Sequence, residues 1–399
     1  MTGGEVRAGR RQWWAWAVVV LVVAAAVTPL VHTWLTNPDD QRLVDLDVYR
    51  TGGQMLLDGR PVYRYFTPAP QLLPFTYPPV AAMLAVGLAG MSWGVAQWVW
   101  TAGIFVALAV TVGFAFREAL GTWRKYAPWA FALFMVACTY LMPIRDQVRF
   151  GQVDILLVAL CLADCVARRP WWPRGFLIGL ATAVKLTPGV FLIYLLVTRQ
   201  WRTFFMAAFA AAVLTLLPFA VIPQDAAEFW FSALLDPERL GANAATTNQS
   251  IRGMLIRLYL PDLLTSAIWA AVVAAVGWYG FRGARDAYQA GDSITAVALV
   301  GLMAVLLSPV AWIHHLAYVV VVLGAIVGDG RDPVRLRVAA GVWLYYVVPV
   351  PWWGVSLKAA DIPGVSLVLG KIVQNGFGLG ALALVWLLAS WVPKRRMLA

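Results

Sequence analysis

The sequence predicts an all-α, polytopic integral membrane protein that crosses the bilayer about twelve times and forms one domain over residues 1–399. Three observations carry this. Of the 399 residues, 61% are hydrophobic and only 13% are charged, about half the charged share of a soluble domain. Mean hydropathy is +0.72. The charges fall in short clusters between apolar runs long enough to cross ~30 Å of hydrocarbon. In lipid a backbone must satisfy its own hydrogen bonds, and runs of this length do so as helices. The alternating pattern of a membrane β-barrel is absent.

The first run, 13–35, carries no Lys, Arg, Asp or Glu. It is long, rich in Trp and lacks a small-residue cleavage site, so it reads as a retained helix rather than a signal peptide. Further candidate spans follow at 77–92, 94–116, 127–143, 153–167, 175–185, 188–198, 203–222, 264–281, 293–311, 316–328, 338–353 and 365–392. Basic clusters punctuate them: Arg7, Arg10 and Arg11; Arg168, Arg169 and Arg174; Arg199 and Arg202; Arg282 and Arg285; Arg331, Arg335 and Arg337; Lys394, Arg395 and Arg396. The positive-inside rule places all of these in the cytoplasm, some of them touching anionic lipid headgroups. The net charge of +11 is therefore topological and does not point to nucleic acid. An even number of crossings is then required, and the thirteen runs are one too many. The excess falls within 77–143, where the loop holding Arg117, Arg124 and Lys125 fits either side. The 21 Trp suit interfacial belts. Cys138, Cys161 and Cys165 lie in apolar runs and read as small buried residues, not a disulfide or a metal site.

One pair of spans is unusual. Arg174 and Arg199 both read as cytoplasmic, yet 24 residues separate them, too few for two full crossings. Lys185 and Pro188 stand at the midpoint. Two half-length helices meeting at a break inside the protein are expected, and such breaks are tolerated where protein or a watery cavity surrounds them.

The outward face carries the polar chemistry. A first extracytoplasmic loop, 36–76, holds Asp45, Asp47 and Asp58, with apolar residues spaced for short surface helices. A second long loop, 223–262, holds Asn248, Gln249 and Arg252. A third junction ends in His314 and His315, two of the three His in the chain. Acids amid cations suit a reaction of a phosphate-bearing substrate: Lys185, Arg252 and the His pair hold phosphate oxygens, and a carboxylate takes the proton of a hydroxyl nucleophile. Replacing Lys185 or Arg252 is expected to cost donor use more than folding. Each residue also has a bland reading. Asp45 can cap a surface helix, Asp58 before Gly59 can be a turn residue, Lys185 can snorkel, and Arg145, Asp146 and Arg149 can form a salt-bridged loop.

The pieces Val44-Asp45-Leu46-Asp47-Val48-Tyr49, Tyr77-Pro78-Pro79, Gly151-Gln152, Val184-Lys185-Leu186-Thr187-Pro188, Asn248-Gln249-Ser250 and Ser308-Pro309 leading to His314-His315 span nearly the whole chain in order. Together they resemble glycosyltransferase family 87, of the integral-membrane GT-C superfamily. The resemblance implies a polyprenyl-phosphate sugar donor, a glycolipid acceptor and a site on the extracytoplasmic side of the plasma (inner) membrane. It implies no cofactor, since the lipid carrier supplies the activated sugar, and no metal. Within the family the chain is most similar to mycobacterial enzymes that add α-(1→2)-mannose to phosphatidylinositol mannosides, a transfer with inversion. Asp45 matches the family's catalytic acid. Asp47, Tyr77, Lys185, Asn248, Gln249, His314 and His315 lie in these pieces and, with Arg252 from the second loop, are the expected substrate-binding residues. Arabinofuranose as the transferred sugar, a lipid-linked sugar flippase and a non-catalytic scaffold are the alternatives; about twelve spans with a broken helix suit a transporter too.

Overall fold

The computed structural model describes residues 3–38 and 41–393; the side chains of 3–13, 34, 237 and 238 lie outside that description. The basic side chains of Arg7, Arg10, Arg11, Lys394, Arg395 and Arg396 therefore lie outside it too. The described elements are helical, and the extended pairings among them are two isolated bridges, Phe66 with Pro74 and Asn248 with Trp312.

Four helices are long and apolar enough to cross a membrane: Trp14–Thr33, Trp93–Ala115, Trp201–Val221 and Asp262–Gln289. Counting each of three bent helix pairs as one span raises the number to seven. These helices form the outside of the bundle. On Trp201–Val221, Phe205, Phe209 and Leu216 are each more than 60% exposed. So much exposed apolar surface is explained by lipid, not water.

The inner helices are short. Asp154–Val166 has 13 residues, Phe176–Val184 has 9, Val190–Val197 has 8, Ser293–Leu306 has 14 and Val319–Val327 has 9. At ~1.5 Å per residue the longest of them reaches only about 20 Å, well short of a ~30 Å core. They are flush at one end of the bundle, where the basic residues gather. Arg117 donates to the Val166 carbonyl at 2.8 Å, and Arg174 donates to the Asp164 carbonyl at 3.0 Å and to that of Ala167. The Tyr194 and Tyr288 rings meet there at 6.1 Å, and Gly330 packs on the Trp123 indole. So the loop of Arg117, Arg124 and Lys125 sits with the clusters around Arg174, Arg199, Arg285 and Arg331. Away from that end a cavity opens, lined by the segments 45–78, 152, 185–187, 229–241 and 308–315.

The expected break is present. Lys185 leaves the helix Phe176–Val184 in an extended conformation (φ −150°, ψ 133°), and Pro188 lies in the single 3₁₀ turn before Val190–Val197. The candidate run 77–92 differs from the expectation of a span. It forms the 11-residue helix Pro79–Ala89, only about 16 Å long. Tyr77 bonds Gln152 at 3.1 Å, and Trp100, two turns into the next helix, bonds the Gly151 carbonyl at 2.7 Å. This helix packs against Val44–Leu57 instead, so closely that a Cβ on Gly53 would sit 2.5 Å from the Ala85 carbonyl oxygen.

The loops 36–76 and 223–262 interlock beside the cavity. Asp225 accepts from the Val62 N–H at 2.8 Å, Arg64 pairs with Glu228 at 3.0 Å, and Arg239 donates to the Tyr63 carbonyl at 2.8 Å.

Candidate active site

Asp45 is placed by the turn that precedes it. Leu43 is held in the left-handed region (φ 48°) and donates its N–H to the Arg149 carbonyl at 2.6 Å, which starts the helix Val44–Leu57 beside the cavity. From the other side, Gly151 (φ +72°) lets the backbone press on this helix, where a Cβ would lie 2.8 Å from Leu46 Cβ. Gln152 then reaches Asp45. Its amide oxygen lies 3.1 Å from both the Tyr49 and Tyr77 hydroxyls, which lie 2.8 Å from each other, and the two hydroxyl protons serve two of these three contacts. With the oxygen turned to the tyrosine hydroxyls, the amide NH₂ faces Asp45 and hydrogen-bonds it. Burial pushes the Asp45 carboxyl up to about 7, against the lowering effects of the Gln152 hydrogen bond and the Lys185 charge. Burial likewise pushes the Tyr77 hydroxyl up to about 12, so it stays a donor.

Lys185 carries the second half of the site. Its ammonium pairs with Asp154 at 2.7 Å, approaches His315 Nε2 at 3.1 Å and lies 5.3 Å from the centre of the Tyr77 ring. Both members of the ion pair are largely buried, their side chains 13% and 9% exposed. The His314 and His315 rings meet at 4.7 Å, each with Nε2 3.9 Å from Asp154 Oδ2. Gln147 fixes this junction from behind by donating to the His314 carbonyl at 2.7 Å.

Asp45, Tyr77, Gln152, Lys185, His314 and His315 all line one cavity of about 720 Å³. Asp154, His314 and His315 together have the composition of a metal site, with ligand atoms within 4.8 Å of one another. The Lys185 ammonium, however, already stands against Asp154 and His315, where a divalent ion would have to displace it. The arrangement instead offers one carboxylate held by an amide and, across the cavity, N–H donors suited to an anion.

Other sequence candidates lie elsewhere. Asp47 is off the cavity lining, since two residues along a helix rotate a side chain by about 200°. Arg252 is off it as well, its guanidinium 5.2 Å from the centre of the Trp269 ring. Asn248 and Gln249 are buried and form a clasp, not a lining. Asn248 Oδ1 accepts from Ala311 N at 3.0 Å and Ser250 Oγ at 2.9 Å, while Gln249 binds the Gln374 carbonyl at 3.0 Å and the Gly378 N–H at 2.8 Å. Amides so fully engaged have little capacity left for a ligand. Asp58 is exposed and accepts from Gln54 at 2.9 Å.

Sequence reasoning missed Asp154 and Gln147, and it did not single out Arg239, which lines the cavity from the second loop. Asp154 opens an apolar run, and an acid at such a place is itself a signal of function. It pairs with Lys185, and a buried pair of this kind couples that lysine to the fold as well as to the cavity.

The model for glycosyltransferase family 87 matches residues 75–309. The chain is 36% identical over 361 residues to the polyprenol-phosphate-mannose-dependent alpha-(1-2)-phosphatidylinositol mannoside mannosyltransferase of Mycolicibacterium smegmatis, covering 84% of this chain and 82% of that one. It is 34% identical over 368 residues to the protein of the same name from Mycobacterium tuberculosis, covering 86% and 84%. A pentamannoside mannosyltransferase of Mycolicibacterium smegmatis is 30% identical over 84% of this chain and 81% of that one. Among solved structures, ArnT from Cupriavidus metallidurans bound to undecaprenyl phosphate is 17% identical with a TM-score of 0.38, covering 94% of this chain and 77% of that one.

Proposed function

The chain belongs to glycosyltransferase family 87, and from that premise we propose that it transfers mannose from polyprenyl-phosphate mannose to a phosphatidylinositol mannoside. The linkage formed is α-(1→2), with inversion, and the site faces the extracytoplasmic side of the plasma membrane. The observation that carries this is the single cavity joining an amide-held carboxylate, Asp45, to the donors of Lys185 and the His pair. The relatives' names support the mannose donor and the acceptor class.

The topology follows the same reading. Taking 77–92 as a helix that returns to its own side, the thirteen candidate runs become an even twelve. The basic ends of the inner helices then face the cytoplasm, and Asp45 faces outward.

The chemistry is one displacement. The acceptor 2-hydroxyl oxygen attacks the donor's anomeric carbon opposite the phosphate, and the carbon–oxygen bond to phosphate breaks. Asp45 takes the hydroxyl proton, and the departing electron pair goes to a phosphate oxygen. That charge is met by the remaining Lys185 N–H and by His N–H groups, so no protonated acid is needed on the leaving side. Gln152 keeps the Asp45 carboxylate turned to the acceptor.

Purified protein in lipid nanodiscs, given sugar-labelled polyprenyl-phosphate mannose and a phosphatidylinositol mannoside, should move label to the acceptor and release polyprenyl phosphate. A flippase would leave the labelled lipid intact, and that outcome would overturn the reading.

A further inference from the structure

We propose that Arg239 is the binding site for the acceptor's phosphodiester, a second anion site separate from the one that meets the donor phosphate. The proposal rests on the mannosyltransferase reading above, in which both substrates are lipid phosphates.

Arg239 lines the same cavity as Asp45 and Lys185, but it comes from the second outer loop. Its guanidinium is fixed from behind, donating to the Tyr63 carbonyl at 2.8 Å and the Phe75 carbonyl at 3.3 Å. Those bonds use one terminal nitrogen. Arg239 makes no ion pair with a carboxylate among the described residues, and its Nε is buried with no hydrogen-bond partner. A rigidly held guanidinium with spare N–H groups on a cavity wall is suited to a phosphate oxygen. Asp236 lines the rim three residues earlier and is exposed.

The reaction dictates which phosphate goes where. The donor phosphate is bonded to the anomeric carbon, so it must lie within the cluster of Asp45, Lys185 and the His pair. The acceptor presents its hydroxyl to Asp45, and its own phosphodiester lies at least an inositol ring away, toward the lipid tails. Arg239 stands where that end would emerge. Around it the cavity lining changes to Phe66, Leu72, Leu234 and Leu240, all at least 40% exposed. Such a rim suits acyl chains returning to the bilayer.

The test uses the full chain in nanodiscs with labelled polyprenyl-phosphate mannose and two acceptors. One is a phosphatidylinositol mannoside; the other is a neutral alkyl α-mannoside with the same terminal sugar and no phosphate. Arg239→Gln should raise KM for the phosphorylated acceptor by about 10- to 100-fold, the worth of a hydrogen bond to a charged group. It should leave KM for the donor and turnover of the neutral acceptor within about twofold of wild type. Arg239→Lys, which keeps the charge, should recover much of the loss. Equal losses on both acceptors would assign Arg239 to holding the loop alone, and a raised donor KM would assign it to the other phosphate; either overturns the proposal. Transfer by the wild type to neither acceptor would instead remove the mannosyltransferase reading.

Discussion

The pH dependence of transfer should report Asp45 directly. Its carboxyl is pushed up to about 7 by burial at the cavity wall, with Gln152 and Lys185 opposing. A general base works only when ionised. With a value near 7, about one molecule in eleven is competent at pH 6 and about ten in eleven at pH 8. Transfer measured as kcat/KM should therefore rise about tenfold from pH 6 to pH 8 and level off above, with a slope near one on the acid side. Phosphodiesters stay ionised over this range, so substrate ionisation does not mimic the limb. Asp45→Asn keeps the shape and most of the hydrogen bonding while removing basicity. It should cut turnover by about two to four orders of magnitude and flatten the residual profile. The assay is initial-rate transfer of labelled mannose in nanodiscs between pH 5.5 and 8.5. A flat wild-type profile, or an acid limb that survives in Asp45→Asn, would refute the assignment of the base.

Gln152→Glu places a carboxylate against Asp45 and should move the acid limb above its wild-type position; an unmoved limb would mean that Gln152 does not touch the base. Lys185→Ala should lower the yield and melting temperature of folded protein, because breaking a buried pair costs about 3–5 kcal/mol. The double variant Lys185→Ala/Asp154→Asn should regain folded protein without regaining turnover, and recovery of both would reduce the pair to a structural role. Because the Lys185 ammonium occupies the ground between Asp154 and His315, transfer should persist after exhaustive chelation. Loss of activity restored by one divalent ion would instead make Asp154, His314 and His315 its ligands.

Much of the site was legible because its residues violate the rules of an apolar chain. Lys185 stood out as a cation at the midpoint of a run too short to cross twice, and its break follows from Pro188 and the extended backbone at Lys185. Asp45 was marked by its motif, and it lines the same cavity as Lys185. What failed was direction. Arg252, Asn248 and Gln249 were expected to line the site, but a linear sequence does not say which way a loop side chain turns. Here Arg252 turns to Trp269, and the two amides turn to the backbone of neighbouring segments. The run 77–92 has the hydropathy of a span, yet it folds as an 11-residue helix packed closely on Val44–Leu57 through Gly53. Asp154 was overlooked because it opens an apolar run, where an acid also reads as helix-end solvation; only its partner across the chain, Lys185, gives it meaning. The helix count was obscured for a related reason. Helices such as Asp154–Val166 and Ser293–Leu306, of 13 and 14 residues, are shorter than the ~20 residues of a full crossing.

The central claim is that one displacement in this cavity joins two lipids through a new α-(1→2) bond. It is tested most directly by nuclear magnetic resonance of the product made from polyprenyl-phosphate β-mannose labelled with carbon-13 at the anomeric carbon. The account predicts an α-anomeric signal coupled to C2 of the acceptor mannose, with one polyprenyl phosphate released per sugar transferred. A β-anomeric product, or attachment at any other hydroxyl, would contradict it.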